Sequence, residues 1–377
     1  MNVGVHLPKN AVAFVKKNLL FFVLLAAYLA FVAYNRDFLN PALVEWKTVT
    51  IIASLIIINT GMLASGGIDI IAKAILGRIK DFRKLAVFSI LFTVLLSMFI
   101  TNDASLIVLI PLTMSIGKIS GEDIKNVIVL QAIGANVGSM LTPFGNPQNI
   151  IMFREYGLSL SMFVLKMLPV FLISVVMLLL FVFLLDKKRR IAGSGAAVGY
   201  SRTLFGASLL LFAVTITGFL YDSDVSFFLV MAILGIVVML VFRPKSYSKA
   251  AVLLRIDFLL ILTFVLIFLV INSARTFIGV ISSSNPLAVF AYSLIISQFI
   301  SNVPATVLLQ KNAMFLPLSW GVNVGGNGTV IASLANLIAL RGGNGIRALR
   351  FMKISLIYMA AVALTSMLLL YIIFNAV

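Results

Sequence analysis

The sequence contains no cysteine and a single histidine, His6. Disulfide bonds, thiolate metal sites and cysteine nucleophiles are therefore excluded, and one histidine cannot form a metal cluster by itself. Charged residues are also scarce, at 11% of the chain against roughly a quarter in average soluble proteins. No nucleophile and base are paired in a recognisable pattern, and no metal-ligand spacing is present. We therefore expect a protein that is not an enzyme and holds no cofactor beyond a coupling ion.

Hydrophobic residues make up 62% of the sequence, and several runs are long enough to cross a bilayer. This composition predicts an all-α polytopic membrane protein. The formal charge of +17 fits basic cytoplasmic loops better than nucleic-acid binding, because Lys and Arg gather on the cytoplasmic side of membrane proteins. We expect the plasma (cytoplasmic) membrane, with the N-terminus inside and the C-terminus outside. That orientation places 23 of the 29 Lys and Arg residues on the cytoplasmic side.

Two polar interruptions divide hydrophobic stretches that are each too short to cross a bilayer alone. The first, at 101–103, reads Thr-Asn-Asp, and the second, at 301–303, reads Ser-Asn-Val. Each is followed by a break rich in glycine and asparagine, at 134–149 and at 321–329. Polar backbone at membrane depth is tolerated only where it is buried in protein or lines a wet cavity. We therefore predict two re-entrant hairpins, each followed by a broken transmembrane helix.

The paired breaks predict two repeats of inverted topology. The first repeat, with an N-terminal span, occupies 1–185, and the second occupies 222–377. A basic segment containing glycine, 186–202, is predicted to be a cytoplasmic linker. A single unpaired span, 203–221, inverts the second repeat, because each repeat crosses the membrane an even number of times. Broken helices in corresponding positions of two halves indicate the binding site of a secondary transporter.

The helix that restarts after each break begins with amides that have no partner within the helix. We predict restarts at Ala104, Pro147, Pro304 and about Thr329. Helix N-termini attract anions, whereas carbonyl, hydroxyl and amide oxygens suit Na⁺. The competing interpretation is that these side chains only cap helices and satisfy buried backbone. The candidate residues for binding solute or ion are Thr101, Asn102, Asp103, Asn136, Thr142, Gly145, Asn146, Pro147, Asn149, Ser301, Asn302, Pro304, Thr306, Asn323, Gly325, Asn327 and Thr329.

Asp103 is singled out because an ionisable carboxylate at membrane depth is costly. It is either a helix N-terminal residue that pairs with the local dipole or a carrier of H⁺ or Na⁺, and its counterpart in the second tip is Val303. A carboxylate there repels a multiply charged anion, which argues against a plain di- or tricarboxylate carrier. Arg275 is either an anion contact or an interfacial anchor. Asn59 corresponds to Asn272 and either lines the cavity or bonds between helices.

These motifs resemble the ion transporter superfamily, which includes arsenite permeases, sodium/proton antiporters of the NhaD type and citrate or divalent-anion symporters. The resemblance covers about 46–374 and rests on the two tips, on Gly-Asn-Pro-Gln-Asn at 145–149 and on Asn-Val-Gly-Gly-Asn at 323–327. The tips of divalent-anion symporters resemble Ser-Asn-Thr in both halves, whereas the acidic first tip is closer to arsenite permeases. The resemblance implies Na⁺ or substrate at two places, one formed by Thr101, Asn102 and Asn146 and the other by Ser301, Asn302 and Thr329.

The function that this resemblance implies is ion-coupled secondary active transport by alternating access. The solute is expected to be an inorganic or organic anion or an arsenite-type solute, with proton or sodium coupling. A Na⁺/H⁺ antiporter is the alternative, with Asp103 binding the two cations in turn, and an ion channel built on the same hairpins is a third. The expected partners are a small ionic or neutral solute and the lipid bilayer. A homodimer, as in some relatives, is left open.

Overall fold

The structure is a computed structural model that describes residues 14–15, 18–76, 79, 81–120, 123–185, 200–244, 247–278, 283–343 and 345–375. Within these residues the chain forms α-helices joined by loops and short 3-10 turns, and they contain no β-strand. The predicted all-α class is therefore confirmed. Most of the predicted linker, 186–202, lies outside the described residues, and so does His6.

The α-helices follow the hydrophobic runs of the sequence and end where glycine, asparagine or charged residues interrupt them. In chain order they are α1 Leu19–Tyr34, α2 Trp46–Ala64, α3 Gly67–Leu76, α4 Phe82–Ser97, α5 Asn102–Ser120, α6 Lys125–Ser139, α7 Pro147–Glu155, α8 Leu160–Leu185, α9 Arg202–Leu220, α10 Val225–Phe242, α11 Lys249–Leu253, α12 Phe258–Ile278, α13 Pro286–Ile300, α14 Asn302–Leu309, α15 Phe315–Gly325, α16 Leu334–Gly342 and α17 Ala348–Asn375.

Six helical segments among the described residues are long and apolar enough to cross a membrane. Their length and composition are those of a polytopic membrane protein. Three shorter apolar segments, Leu19–Tyr34, Asn102–Met114 and Pro286–Ile300, fall below this length. The six long segments are Trp46–Ala64, Leu160–Phe183, Arg202–Leu220, Val225–Phe242, Lys249–Phe277 and Ala348–Asn375.

The two predicted tips lie between helices that pack against each other. Residues 98–101 join α4 to α5, and Ser301 joins α13 to α14. Ser301 has a φ of 75° and a ψ of 155°, a backbone conformation that a side chain makes costly by about 1–3 kcal/mol. Such conformations persist only where the surroundings enforce them, and they cluster at functional sites.

Each hairpin packs on the broken helix that follows it, through glycine. A Cβ on Gly138 of α6 would lie 2.0 Å from the carbonyl oxygen of Val94 in α4. A Cβ on Gly321 of α15 would lie 2.6 Å from the carbonyl oxygen of Phe290 in α13. Real Cβ atoms do not approach a backbone oxygen so closely, so only glycine permits these two helix contacts. The hairpins also pack across the halves, α5 against α16 and α14 against α7.

Three predicted helix starts need correction. The helices after the tips begin at Asn102 and Asn302, two residues before the predicted Ala104 and Pro304. The restart at Pro147 is confirmed, with proline at the first helical position, where its missing N–H costs nothing. The restart at about Thr329 is wrong, because a 3-10 turn follows it and α16 begins at Leu334.

The sequence predicts a second hairpin arm over 304–316 and a second broken span that starts at Trp320, and both bounds need correction. Helix α14 ends at Leu309, and a 3-10 turn at Gln310–Asn312 follows. Helix α15 then begins at Phe315. The three residues of the turn are polar, so they interrupt the apolar sequence where the helix ends.

Candidate functional site

The first tip contacts the break of its own half through Asn102. Its backbone N–H donates to the carbonyl oxygen of Gly145 at 3.2 Å, and its Nδ2 donates to Oδ1 of Asn136 at 3.1 Å. Its Oδ1 accepts from the backbone N–H of Asp103 at 3.0 Å.

 In the second tip, the hydroxyl of Ser301 donates to Oδ1 of its chain neighbour Asn302 at 3.4 Å.

Asn136, in the last turn of α6, reaches into the break of the other half. Its Nδ2 lies 3.1 Å from the carbonyl oxygen of Gly326, 3.3 Å from Oδ1 of Asn327 and 3.1 Å from Oδ1 of Asn336. Its Oδ1 accepts from the hydroxyl of Ser333 at 3.0 Å. All these side chains are buried. Since a buried polar group costs free energy unless it is paired, this cluster holds the two halves in one arrangement.

Asn323, in the last turn of α15, makes the matching contacts in the opposite direction. Its Nδ2 donates to Oδ1 of Asn149 at 2.9 Å, and its Oδ1 accepts from Nδ2 of Asn146 at 3.1 Å. Nε2 of Gln148 lies 3.4 Å from the same Oδ1. Each half therefore sends one asparagine into the helix break of the other half.

In both breaks, an equivalent asparagine side chain bonds to backbone carbonyl oxygens. Nδ2 of Asn149 donates to the carbonyl oxygens of Ser139 and Thr142, and Nδ2 of Asn336 donates to those of Gly326 and Thr329. Each member of the second set follows its counterpart by 187 residues: 139 to 326, 142 to 329 and 149 to 336. An amide that satisfies two carbonyl oxygens replaces the helical bonds that the break has lost.

Each break is also fastened to its own hairpin. The hydroxyl of Thr142 donates to the carbonyl oxygen of Met98 at 2.7 Å, next to the first tip. The hydroxyl of Thr329 donates to the carbonyl oxygen of Gln298 at 2.9 Å, next to the second tip. Nε2 of Gln298 further donates to the carbonyl oxygen of Gly325. Tip and break therefore form one hydrogen-bonded unit in each half.

Asp103 differs from the residues around it. Its Oδ1 is buried and has no hydrogen-bond partner among the described residues. Its counterpart Val303 is 9% exposed and packs in the apolar core. An unpartnered buried oxygen is what a bound ion, solute or water would satisfy. The described residues contain no group of three or more histidine, aspartate or glutamate side chains that could hold a metal ion.

The remaining candidates take structural positions next to this cluster. Oδ1 of Asn146 caps α7 by accepting from the N–H of Asn149 at 2.9 Å, and the hydroxyl of Thr306 donates to the carbonyl oxygen of Asn302. Thr101 and Ser301 lie at the tips, Pro304 is in the first turn of α14, and Gly145 and Gly325 lie at the breaks. The structure thus gives many of these side chains a capping or backbone-satisfying bond, as the competing interpretation expects.

Five residues of the network were not among the sequence candidates. A signal for two of them was present, since aligning the two Gly-x-Asn-x-Gly motifs at 134–138 and 321–325 pairs Asn146 with Ser333 and Asn149 with Asn336. The others lie on helix faces whose neighbours the sequence does not specify. The five are Ser139, Gln148, Gln298, Ser333 and Asn336.

Comparison with known proteins matches the citrate transporter family over residues 11–315. An uncharacterised transporter of Methanocaldococcus jannaschii is 33% identical over 335 residues, which is 84% of this chain and 88% of that protein. The inner membrane protein YbiR of Escherichia coli is 30% identical over 316 residues, 81% of this chain and 82% of that protein. A protein of Dictyostelium discoideum that carries the transporter name arsB is 27% identical over 118 residues, 31% of this chain and 21% of that protein.

The family match spans most of the chain, and the first two relatives each cover more than four fifths of it. The arsB match lies within the same superfamily that the tips and breaks resemble. With its long apolar helices, the chain is an integral membrane protein. It belongs to the citrate transporter family of the ion transporter superfamily, and it is a membrane transporter.

Proposed function

We propose that the protein is an ion-coupled secondary active transporter whose solute binds where the two tips and the two breaks meet. The observation that carries this proposal is the reciprocal contact of Asn136 and Asn323, each of which reaches into the helix break of the other half. Unwound backbone at membrane depth is stable only around a protein-lined or wet site, and here all four irregular segments converge.

The architecture proposed for this carrier is a pair of inverted repeats, each with a re-entrant hairpin and a broken helix. It is supported by the bonds that recur at a spacing of 187 residues, and by the packing of each hairpin on the broken helix of the other half. The basic residues support an orientation with the N-terminus in the cytoplasm and the C-terminus outside the plasma membrane. Alternating access then follows from movement of the hairpins and broken helices as one unit against the other helices.

The chemistry of the cluster favours a hydroxylated solute of low charge. The described side chains that form the hydrogen-bond network are amides and hydroxyls, and none of them is positively charged. A citrate trianion, which the family description suggests, would meet the Asp103 carboxylate there without a cationic side chain in the network to offset the repulsion. Arsenous acid, the uncharged protonated form of arsenite, has hydroxyl groups that donate hydrogen bonds to amide oxygens and accept them from amide N–H groups. The name of the arsB relative agrees with this choice.

Coupling is assigned to Asp103, with H⁺ as the coupling ion in the lead proposal. Its unpartnered Oδ1 is available to a proton or to Na⁺, and the nearby hydroxyl and amide oxygens suit Na⁺ as well. The same observation favours the second candidate function, Na⁺/H⁺ antiport, in which the two cations compete for this carboxylate. In the lead proposal, proton flux requires an added solute, whereas in the antiporter Na⁺ alone evokes it.

The test is proton flux in proteoliposomes, followed with a trapped pH dye. Na⁺, Li⁺, arsenite and citrate are added one at a time to the parent protein, to Asp103→Asn and to the control Asp222→Asn, whose exposed carboxylate pairs with Lys47. We expect arsenite to evoke proton flux in the parent protein and in Asp222→Asn, but not in Asp103→Asn. Flux evoked by Na⁺ or Li⁺ alone would establish the antiporter instead. Flux unchanged in Asp103→Asn would leave that aspartate a structural residue and refute its coupling role.

A further inference from the structure

Arg275, near the end of α12, holds the end of α14. Its Nη2 donates to the carbonyl oxygens of Val307 and Leu308, the latter at 3.1 Å. Its Nη1 donates to Oδ1 of Asn272 at 2.8 Å, and Nδ2 of Asn272 donates to the carbonyl oxygen of Leu43 at 2.6 Å. The last carbonyl groups of a helix lack partners within the helix and form the negative end of its dipole. A guanidinium there makes charge-assisted hydrogen bonds, so it ties α14 firmly to α12.

The turn that follows α14 is held at the same end of the molecule. The hydroxyl of Tyr156, just after α7, donates to the carbonyl oxygens of Gln310 at 2.8 Å and Ala313 at 2.7 Å. Nε2 of Gln310 lies 3.5 Å from Oε1 of Glu45, the residue before α2. The turn that follows the second hairpin is therefore held by side chains from two other parts of the chain.

The residues of the first half that match Arg275 and Asn272 make none of these contacts in the described chain. Ile107 of α5 is 52% exposed, whereas Val307, which occupies the matching position 200 residues later (107 to 307), is completely buried. Asn59 of α2 corresponds to Asn272, yet neither polar atom of its buried side chain has a hydrogen-bond partner among the described residues. Position 62, which matches Arg275, is a methionine. Arg275 therefore bonds the second hairpin to α12, and α2 has no guanidinium at the matching position to bond the first hairpin in the same way.

We propose that Arg275 is the latch that keeps one side of the transporter closed. It holds α14 on α12 while Ile107 of α5 remains half exposed, which assigns the structure to the conformation open on the side of α5. This inference rests on the alternating access proposed above. With the orientation proposed there, the open side is cytoplasmic and the latched side is external. Arg275 is a positioning residue: its guanidinium releases the α14 carbonyl groups whenever the external side opens.

The test uses single cysteines as accessibility reporters, for which the absence of natural cysteine leaves no background. Ile107→Cys and Val307→Cys are labelled with a membrane-impermeant thiol reagent in lipid nanodiscs, where both faces are reachable. With Arg275 present, Ile107→Cys reacts quickly and Val307→Cys slowly. With Arg275→Ala added, labelling of Val307→Cys rises about tenfold, the factor that corresponds to 1.4 kcal/mol of lost interaction, and labelling of Ile107→Cys does not rise.

Two further variants sharpen the result. Arg275→Lys keeps the charge but cannot contact Asn272 and two carbonyl groups together, so its effect lies between those of arginine and alanine. Arg36→Ala removes an exposed arginine from the turn after α1 and leaves both labelling rates unchanged. Leu308→Cys is the second reporter should Val307→Cys fail to fold.

Two outcomes would overturn the latch. One is an unchanged Val307→Cys rate in a folded Arg275→Ala protein, and the other is a parallel rise at both reporters, which indicates general loosening. Labelling needs neither a solute nor an ion gradient. Failure of the flux experiment therefore refutes the proposed function without touching this measurement, and unchanged labelling refutes the latch alone.

Discussion

Replacing Asn136 with alanine should weaken the contact between the two halves more than any comparable exposed substitution. The side chain accepts hydrogen bonds from Asn102 and Ser333, and its Nδ2 faces the oxygens of Gly326, Asn327 and Asn336. Alanine removes all five contacts and leaves buried partners without a replacement. The helix itself should persist, because alanine is the best helix former.

The magnitude follows from the number of bonds. Hydrogen bonds between helices in a membrane contribute about 0.6 kcal/mol each, so the five contacts predict a loss of about 3 kcal/mol in the free energy of unfolding. Asn323→Ala loses three contacts with other segments, to Asn146, Gln148 and Asn149, and should cost less, about 1.8 kcal/mol. Asn136→Asp should be worse than alanine, because a second carboxylate oxygen would then face the three acceptor oxygens.

The assay is unfolding by SDS titration of protein purified in mild detergent, followed by tryptophan fluorescence. Trp320 is completely buried in α15, and its indole N–H donates to the carbonyl oxygen of Lys166, so its emission reports on this region. The matched control is Asn375→Ala, whose exposed amide bonds only within α17 and whose loss should change stability by less than about 0.5 kcal/mol. A loss below about 1 kcal/mol for Asn136→Ala would refute the view that this network holds the halves together.

Three further predictions use the same titration. Gly138→Ala should cost about 2 kcal/mol or more, because its Cβ would meet the Val94 carbonyl oxygen at 2.0 Å. The control Gly206→Ala in α9, whose Cβ would meet no atom within 4 Å, should be neutral or stabilise by up to about 1 kcal/mol. Equal effects of the two substitutions would contradict the close packing of α4 and α6. Tyr156→Phe should cost about 1 kcal/mol by freeing two carbonyl groups after α14, and a neutral result would show that water replaces them. Lys47→Ala should change stability by less than about 1 kcal/mol, since its ion pair with Asp222 is exposed; a larger loss would mean that the pair is effectively buried.

Several features of this fold could be predicted from the sequence because they depend on local properties. Apolar runs predict helices, and a proline after Gly-Asn predicts the helix start at Pro147, since proline fits the first helical position. The polar interruptions at 101–103 and 301–303 predict the two tips between packed helices. The start at about Thr329 was wrong because threonine is a good N-cap by itself, yet Asn336 satisfies the Thr329 carbonyl group and Ser333 caps the helix instead.

The amino-acid sequence by itself therefore determined the class of the protein, the order of its helices and the places where they break. Only the tertiary structure decided which polar side chains meet, because Asn136 bonds to Asn336, 200 residues away, and Asn323 bonds to Asn149, 174 residues away. The same holds for Arg275, for which the sequence left two roles open and the structure shows a third, at the end of α14. Hydrophobicity and capping act over a few neighbouring residues, whereas a buried hydrogen bond between halves depends on how whole helices pack.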